Sequence, residues 1–136
     1  MFIDIDDGQL FSPSPAFFLG GIDIYDREET LGVELEKLDP NNACDREVII
    51  LKYCLPTYKT YRHKFYIYKS LKDALADQSY DFASLLKYDP EAYSSFPYGW
   101  DEMDDVRAFF EDIFRLAGIV WKYDLERASA EDQDAW

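Results

Sequence analysis

The sequence predicts an α+β fold, a mainly antiparallel sheet with two or three helices packed on one face. Three observations predict it. Apolar and polar residues alternate, or run through β-branched and aromatic stretches, over much of residues 1–68; the apolar spacing becomes helical after Ser70; and clusters of Pro, Gly, Asn and Asp punctuate the runs. With 136 residues, 48% of them hydrophobic and 18% aromatic, the chain can bury one core. A single globular domain is expected over 1–127, followed by an acidic tail at 128–136 that frays.

Each element has a local reason. Phe2, Ile3 and Ile5 before Asp6-Asp7-Gly8 read as a short strand closed by a turn, and Phe17–Tyr25 as a second strand, with Ser12-Pro13-Ser14-Pro15 preventing regular pairing between them. Gly20-Gly21 inside that strand implies a bulge or a close backbone approach. Leu31, Val33 and Leu35 alternate within Thr30–Leu38, which reads as a half-buried strand ended by the loop Asp39-Pro40-Asn41-Asn42. Glu47–Leu55 is a strongly β-forming run stopped by Pro56, and Tyr58–Tyr68 places Phe65 and Ile67 on one face and Tyr66 and Tyr68 on the other. Ser70 then caps a short helix over Leu71–Asp77, with Asp73 three residues on as in a capping box. Phe82, Leu85 and Leu86 form a further helical turn, and 89–100 is an aromatic loop. Met103, Val106, Phe110, Ile113 and Ala117 recur at helical spacing, so the longest helix is expected at about 101–117, ended by Gly118 as a C′ residue. Ile119–Tyr123 reads as a last strand.

Twenty-eight Asp and Glu against fourteen Lys and Arg leave a net charge of −14, which argues against direct binding of nucleic-acid phosphates and for a basic protein partner. The charge is unevenly spread. Residues 1–45 carry 11 acids and 2 bases, 46–72 carry 1 and 7, and 73–136 carry 16 and 5. The basic island of Arg46, Lys52, Lys59, Arg62, Lys64, Lys69 and Lys72 serves either internal charge complementarity or a small site for an anion or an acidic patch. No apolar run reaches the length of a bilayer span, and MFIDIDDG lacks a basic n-region and an apolar h-region, so a cytoplasmic location without membrane contact is expected.

The residues of most catalytic constellations are missing, and the expectation is a protein that is not an enzyme and needs no cofactor or metal. The one imidazole, His63, stands among basic residues with no triad in view. Cys44 and Cys54 make no CxxC motif and read as free thiols. Glycine-rich phosphate cradles are absent. Asp4, Asp6 and Asp7 open like a calcium loop, but Pro15 stands where that loop needs its last carboxylate, so solvated turn acids are the default.

The most distinctive stretch is Phe96–Arg115, where an aromatic Pro/Gly turn leads into a helix that opens with four acids in five positions. Asp101 is placed to cap it, and Asp101, Glu102 and Asp104 gain from the helix dipole. Asp105, Glu111 and Asp112 lie beyond or opposite the apolar stripe, with Arg107 and Arg115 spaced to pair with Glu111. Tyr98 and Trp100 are large rings beside charges, the usual anchors of protein interfaces. A partner-binding surface of Tyr98, Trp100, Asp101, Asp104, Asp105, Glu111 and Asp112 follows, with the acidic block Asp23–Glu36 as the next place to look.

Phe96-Pro97-Tyr98-Gly99-Trp100-Asp101, followed by Asp104, Asp105 and Phe109, resembles the helix region of barstar-type ribonuclease inhibitors. More broadly, the chain is similar to small acidic bacterial immunity proteins paired with toxins. The resemblance implies an antitoxin-like inhibitor that binds a cognate basic toxin domain, a nuclease by analogy, and occludes its active site. The alternative is a phage-type mimic of nucleic-acid phosphates that inhibits a restriction or CRISPR system, which requires long rows of acids.

Overall fold

The computed structural model describes residues 8–57, 59–87 and 95–136. About 62% of the described residues are helical. Among them only Leu10 has even an isolated bridge, and there is no sheet. The fold is therefore mainly α, which overturns the expected α+β architecture with its antiparallel sheet. The expected strand at Phe2–Ile5 lies outside the described residues.

Each overturned strand is a helix whose buried residues fall on one side. Pro15–Ile22 is a 3-10 helix capped by Ser14, whose hydroxyl accepts from the Ala16 N–H at 3.3 Å, and it buries Pro15, Phe18, Leu19 and Ile22. Helix α1 (Leu31–Leu35) buries Gly32 and Leu35, while Val33 of the supposed alternation is left exposed. Helix α2 (Ala43–Ile49) starts at Asn42, whose side-chain oxygen accepts from the Cys44 and Asp45 N–H groups at 3.0 and 3.1 Å. It runs straight into a π-helical turn, Ile50–Cys54, so that Ile49, Ile50, Cys54 and Leu55 enter the core together. The β-forming run Glu47–Leu55 thus has its propensity overridden by packing.

Helix α3 (Tyr61–Ala76) absorbs both the strand expected at Tyr58–Tyr68 and the helix expected to start at Ser70. Its cap is Thr60, whose hydroxyl and the ring of His63 share a hydrogen bond of 2.7 Å, with His63 at the position a glutamate takes in a capping box. His63, Ile67, Leu71 and Ala74 form its buried stripe. Ser70 donates to the Ile67 carbonyl instead of capping. Phe82–Leu86 is the helical turn the sequence indicates, in 3-10 form.

Helix α4 (Val106–Val120) stands where the longest helix is expected, shifted towards the C-terminus, but at 15 residues it is shorter than α3 at 16, because α3 absorbs the run expected as a strand. Asp105 caps it, accepting from the Ala108 N–H at 3.0 Å; Asp101 does not. Gly118 does not end it. A Cβ there would meet the Tyr68 hydroxyl at 3.3 Å, and Tyr68 stacks on Phe114 with ring centroids 4.6 Å apart, so the glycine lets α3 lie close to α4. The supposed strand Ile119–Tyr123 is the end of α4 and the start of α5 (Lys122–Ser129), joined at Trp121. Trp121 is buried and stacks on Phe18 at 5.6 Å, tying the helical N-terminal segment to this corner. The tail folds back, with Trp136 meeting Phe65 and Tyr66 edge-on at 5.6 and 5.7 Å and donating its indole N–H to Glu131 at 3.0 Å. One core results, centred on Phe109, Phe110 and Ile113 of α4 and walled by α3, the π turn and the 3-10 helix Pro15–Ile22.

Candidate partner-binding surface

The segment 95–105 crosses one end of the molecule and is fastened at both ends. At its start the Ile24 N–H donates to the Ser95 carbonyl at 2.7 Å, and one oxygen of Asp23 accepts from both the Ser95 and Tyr25 N–H groups at 3.0 Å. At its far end the Asp104 N–H donates to the Asn41 side chain at 2.9 Å, which docks the loop before α2 against the entry to α4. Between these ties Pro97, Trp100 and Met103 are buried. Trp100 N–H closes a turn onto the Pro97 carbonyl at 3.1 Å, and Gly99 takes φ +84°, the left-handed third position of a type II turn. The residue at the corner is Tyr98, and its side chain is thrown fully into solvent, with a relative exposure of 101%.

A hollow lies on each side of this turn. The larger, about 480 Å³, has an apolar floor of Ile24, Leu86, Phe96 and Pro97 and carries the carboxylates of Glu28, Glu36, Asp101 and Glu102. The smaller, about 400 Å³, carries Glu36 and Asp39 beside Leu38, Pro40 and Trp100. Glu36, Pro97, Tyr98 and Gly99 belong to both. Among the described residues no Lys or Arg lines either hollow. Arg27, next to Glu28 in sequence, is spent on the carbonyls of Gly20 and Asp23, while Lys37, next to Glu36, is exposed and lines neither hollow.

The structure gathers some of the residues the sequence singles out and separates others. Tyr98 and Asp101 lie on the surface just described. Asp104 and Asp105 adjoin it in a shallow depression that also includes Asp101, with Asp105 engaged as the cap of α4. Trp100, at 4% exposure, is core, and its ring cannot anchor a partner unless the turn opens. Glu111 lies 3.9 Å from Arg107, and Asp112 lies 3.4 Å from Arg46 and 3.7 Å from Arg115, so both are drawn into intramolecular ion pairs. Arg107 is itself a structural residue, donating to the Leu75 carbonyl at 2.6 Å with its guanidinium 5.3 Å from the Phe82 ring. Glu28, Glu36, Asp39 and Glu102 are the acids of the two hollows that sequence spacing left outside the site. The signal that reaches towards the first two is the acidic block Asp23–Glu36.

The basic island is consumed largely within the fold. Arg46 pairs with Asp112, Lys52 with Glu34 at 3.6 Å, Arg62 with Glu131 at 3.3 Å, Lys64 with Asp124 at 2.7 Å and Lys69 with Asp73 at 3.9 Å. Internal complementarity accounts for these five cations. Glu28, Glu36, Asp39, Asp101 and Glu102 have no such pairing with any described residue.

Asp4, Asp6 and Asp7, the calcium-like cluster, lie outside the described residues. Among the described residues no three His, Cys, Asp or Glu side chains converge as metal ligands do, and no helix is long and apolar enough to cross a membrane. Cys44 is exposed and Cys54 buried, both as free thiols, and burial pushes Cys54 up to about 12. No family model, curated protein or solved structure matches the chain.

Proposed function

We propose that the protein is an inhibitor of the immunity type, which binds a basic toxin domain and blocks it by occupying its active-site cleft. The observation that carries this reading is the exposed Tyr98 ring between two hollows whose described charged side chains are all carboxylates. A ring held on a fixed turn loses little conformational freedom on contact, which favours it as an anchor. The surrounding acids supply a field that attracts a basic partner and rejects an acidic one. The resemblance of Phe96–Arg115 to barstar-type inhibitors and the net charge of −14 support the same class. Mimicry of nucleic-acid phosphates ranks below it, because an extended row of free carboxylates is broken where Asp73, Asp112, Asp124 and Glu131 pair with the basic segment.

The test is co-expression with the product of the adjoining open reading frame, read as rescue of growth and as a purified complex. A stoichiometric complex with a basic domain is expected, and its association should slow steeply as salt rises from about 50 to about 500 mM, where the Debye length falls well below the span of the site. A neighbouring product that is acidic, or a toxic one that the chain neither binds nor neutralises, overturns the proposal.

A further inference from the structure

We infer that this surface takes a concave partner with a cleft for the Tyr98 ring and a cationic side chain, arginine or lysine, on each side of that cleft. The inference rests on the inhibitor reading only for the partner's being a toxin domain; the geometry of the docking surface is argued independently.

Tyr98 borders both hollows and is fully exposed, so it stands as a ridge between them. A flat partner would touch the ring and leave both hollows to water. Burying the ring needs walls that descend on either side, and those walls meet Glu28, Glu36, Asp101 and Glu102 on one side and Glu36 and Asp39 on the other. A neutral wall would strip water from these carboxylates and give nothing back, which is the costly way to bury a charge. A cation removes that penalty. In the larger hollow the apolar floor of Ile24, Phe96 and Pro97 suits the aliphatic stem of arginine or lysine, while the head reaches the carboxylates.

Other occupants fit less well. The carboxylates do not converge as a divalent ion requires. A second copy of the chain would bring the same acids and the same net charge of −14, so two copies repel each other as whole molecules. Charge complementarity therefore selects a cationic polypeptide surface.

The experiment titrates the isotopically labelled full chain with acetyl-Arg-Gly-Arg-amide and follows backbone amides by NMR at low and moderate salt. Shifts should concentrate at Glu28, Glu36, Asp39 and Tyr98 to Glu102. Glu36→Gln, which touches both hollows, should weaken binding about threefold to fivefold, the effect of deleting one partner from exposed ion pairs, and Glu126→Gln, on the outer face of α5, should leave it within about 1.5-fold. Both variants change exposed side chains, and an amide spectrum matching the wild type away from the substitution is the control that each one folds. Shifts spread evenly over the acidic surface, or equal effects of the two variants, overturn the inference. It separates from the inhibitor reading as follows. A toxin that binds the Glu36→Gln, Tyr98→Ala double variant as tightly as the wild type overturns this docking surface and leaves the inhibitor class standing. Peptide binding confined to the hollows, with a neighbouring toxin neither bound nor neutralised, upholds the surface and overturns the inhibitor class.

Discussion

Gly21→Ala is expected to be among the most damaging small substitutions in this chain, and Gly20→Ala, one residue away, among the mildest. A Cβ at Gly21 would fall onto the backbone carbonyl of Tyr53 in the π turn, whereas one at Gly20 meets nothing within 4 Å. Both sides of the Gly21 contact are main chain, so neither can rotate away, and the 3-10 helix must lift off the π turn. Phe18 and Ile22, both at 0% exposure, flank that contact and would lose packing with it. Overpacking of a dense core costs about 1–3 kcal/mol, and the added loss around two large buried side chains brings the figure to roughly 3–5 kcal/mol. For 136 residues, an unfolding entropy of about 2.1 cal/mol/K per residue makes each kcal/mol worth about 3.5 °C, so Tm should fall by at least about 10 °C. Gly20→Ala should instead hold or gain about 0.4–1 kcal/mol by restricting the unfolded chain. Thermal and urea melts followed by far-UV circular dichroism measure both. A Gly21→Ala protein melting within about 3 °C of the wild type would refute the close approach of these two segments.

Trp100→Ala should cost roughly 3–5 kcal/mol of stability, as removal of a buried aromatic does, whereas Tyr98→Ala should stay within about 0.5 kcal/mol; equal melting curves for the two would contradict the burial of one and the exposure of the other. Asp105→Ala should lose about 1 kcal/mol with the cap of α4, and Asp101→Ala less than half of that, an order that urea titrations can reverse if the helix starts earlier. Glu131 is held below its ordinary value of 4.5 by the Tyr61 hydroxyl first, then by the Trp136 indole N–H and Arg62. A carboxyl depressed in the folded state contributes stability that is fully present above its unfolded pKa and is lost as pH falls through the folded one. Docking of the tail, read by Trp fluorescence with Trp136→Phe as the reference, should therefore be constant from neutrality to about pH 5 and weaken below that, and Glu131→Gln should flatten the profile; a wild-type profile unchanged down to about pH 3 would count against it.

Helix α4 and the turn at Phe82–Leu86 were legible because their apolar stripes repeat at helical spacing within a short window. Several of the departures have one cause: alternation over four or five residues does not distinguish a strand from one stretch of a helix. Phe65, Tyr66, Ile67 and Tyr68 alternate as a strand does, yet His63, Ile67, Leu71 and Ala74 form a helical stripe that continues past Ser70. Only the longer window distinguishes them, together with the cap at Thr60, which was hidden because histidine stands where the pattern calls for glutamate or glutamine. Pro15, Phe18, Leu19 and Ile22 carry the same lesson at the N-terminal end. In Glu47–Leu55 the β-branched and aromatic residues favour a strand while Glu47, Leu51, Lys52 and Leu55 suit a helix, and tertiary packing decides the outcome. Gly20-Gly21 was half legible, since a close backbone approach is present at Gly21, although no strand surrounds it. Gly118 misled because a glycine that ends a helix and one that admits a neighbouring ring look alike in sequence.

Of the candidate site, the total charge and Tyr98 are legible in the sequence, and which acids stay outside ion pairs is not. That choice is made by pairs that join distant parts of the chain: Arg46 with Asp112, Arg62 with Glu131, Lys64 with Asp124. Glu111 and Asp112, which stand out on α4, are among those drawn into ion pairs, while Glu36, at the end of the acidic block Asp23–Glu36, and Asp39, in the loop before α2, flank the exposed ring. Exposed pairs contribute only about 0–1 kcal/mol each, so moving a lysine into the hollows would cost the fold little and would relieve the mutual repulsion of Glu28, Glu36, Asp101 and Glu102. Leaving the hollows without a described cation, beside a tyrosine held in solvent by a left-handed glycine, concentrates uncompensated charge where a partner can meet it. That distribution, more than the total of −14, is the physical ground for reading the surface as one built to bind.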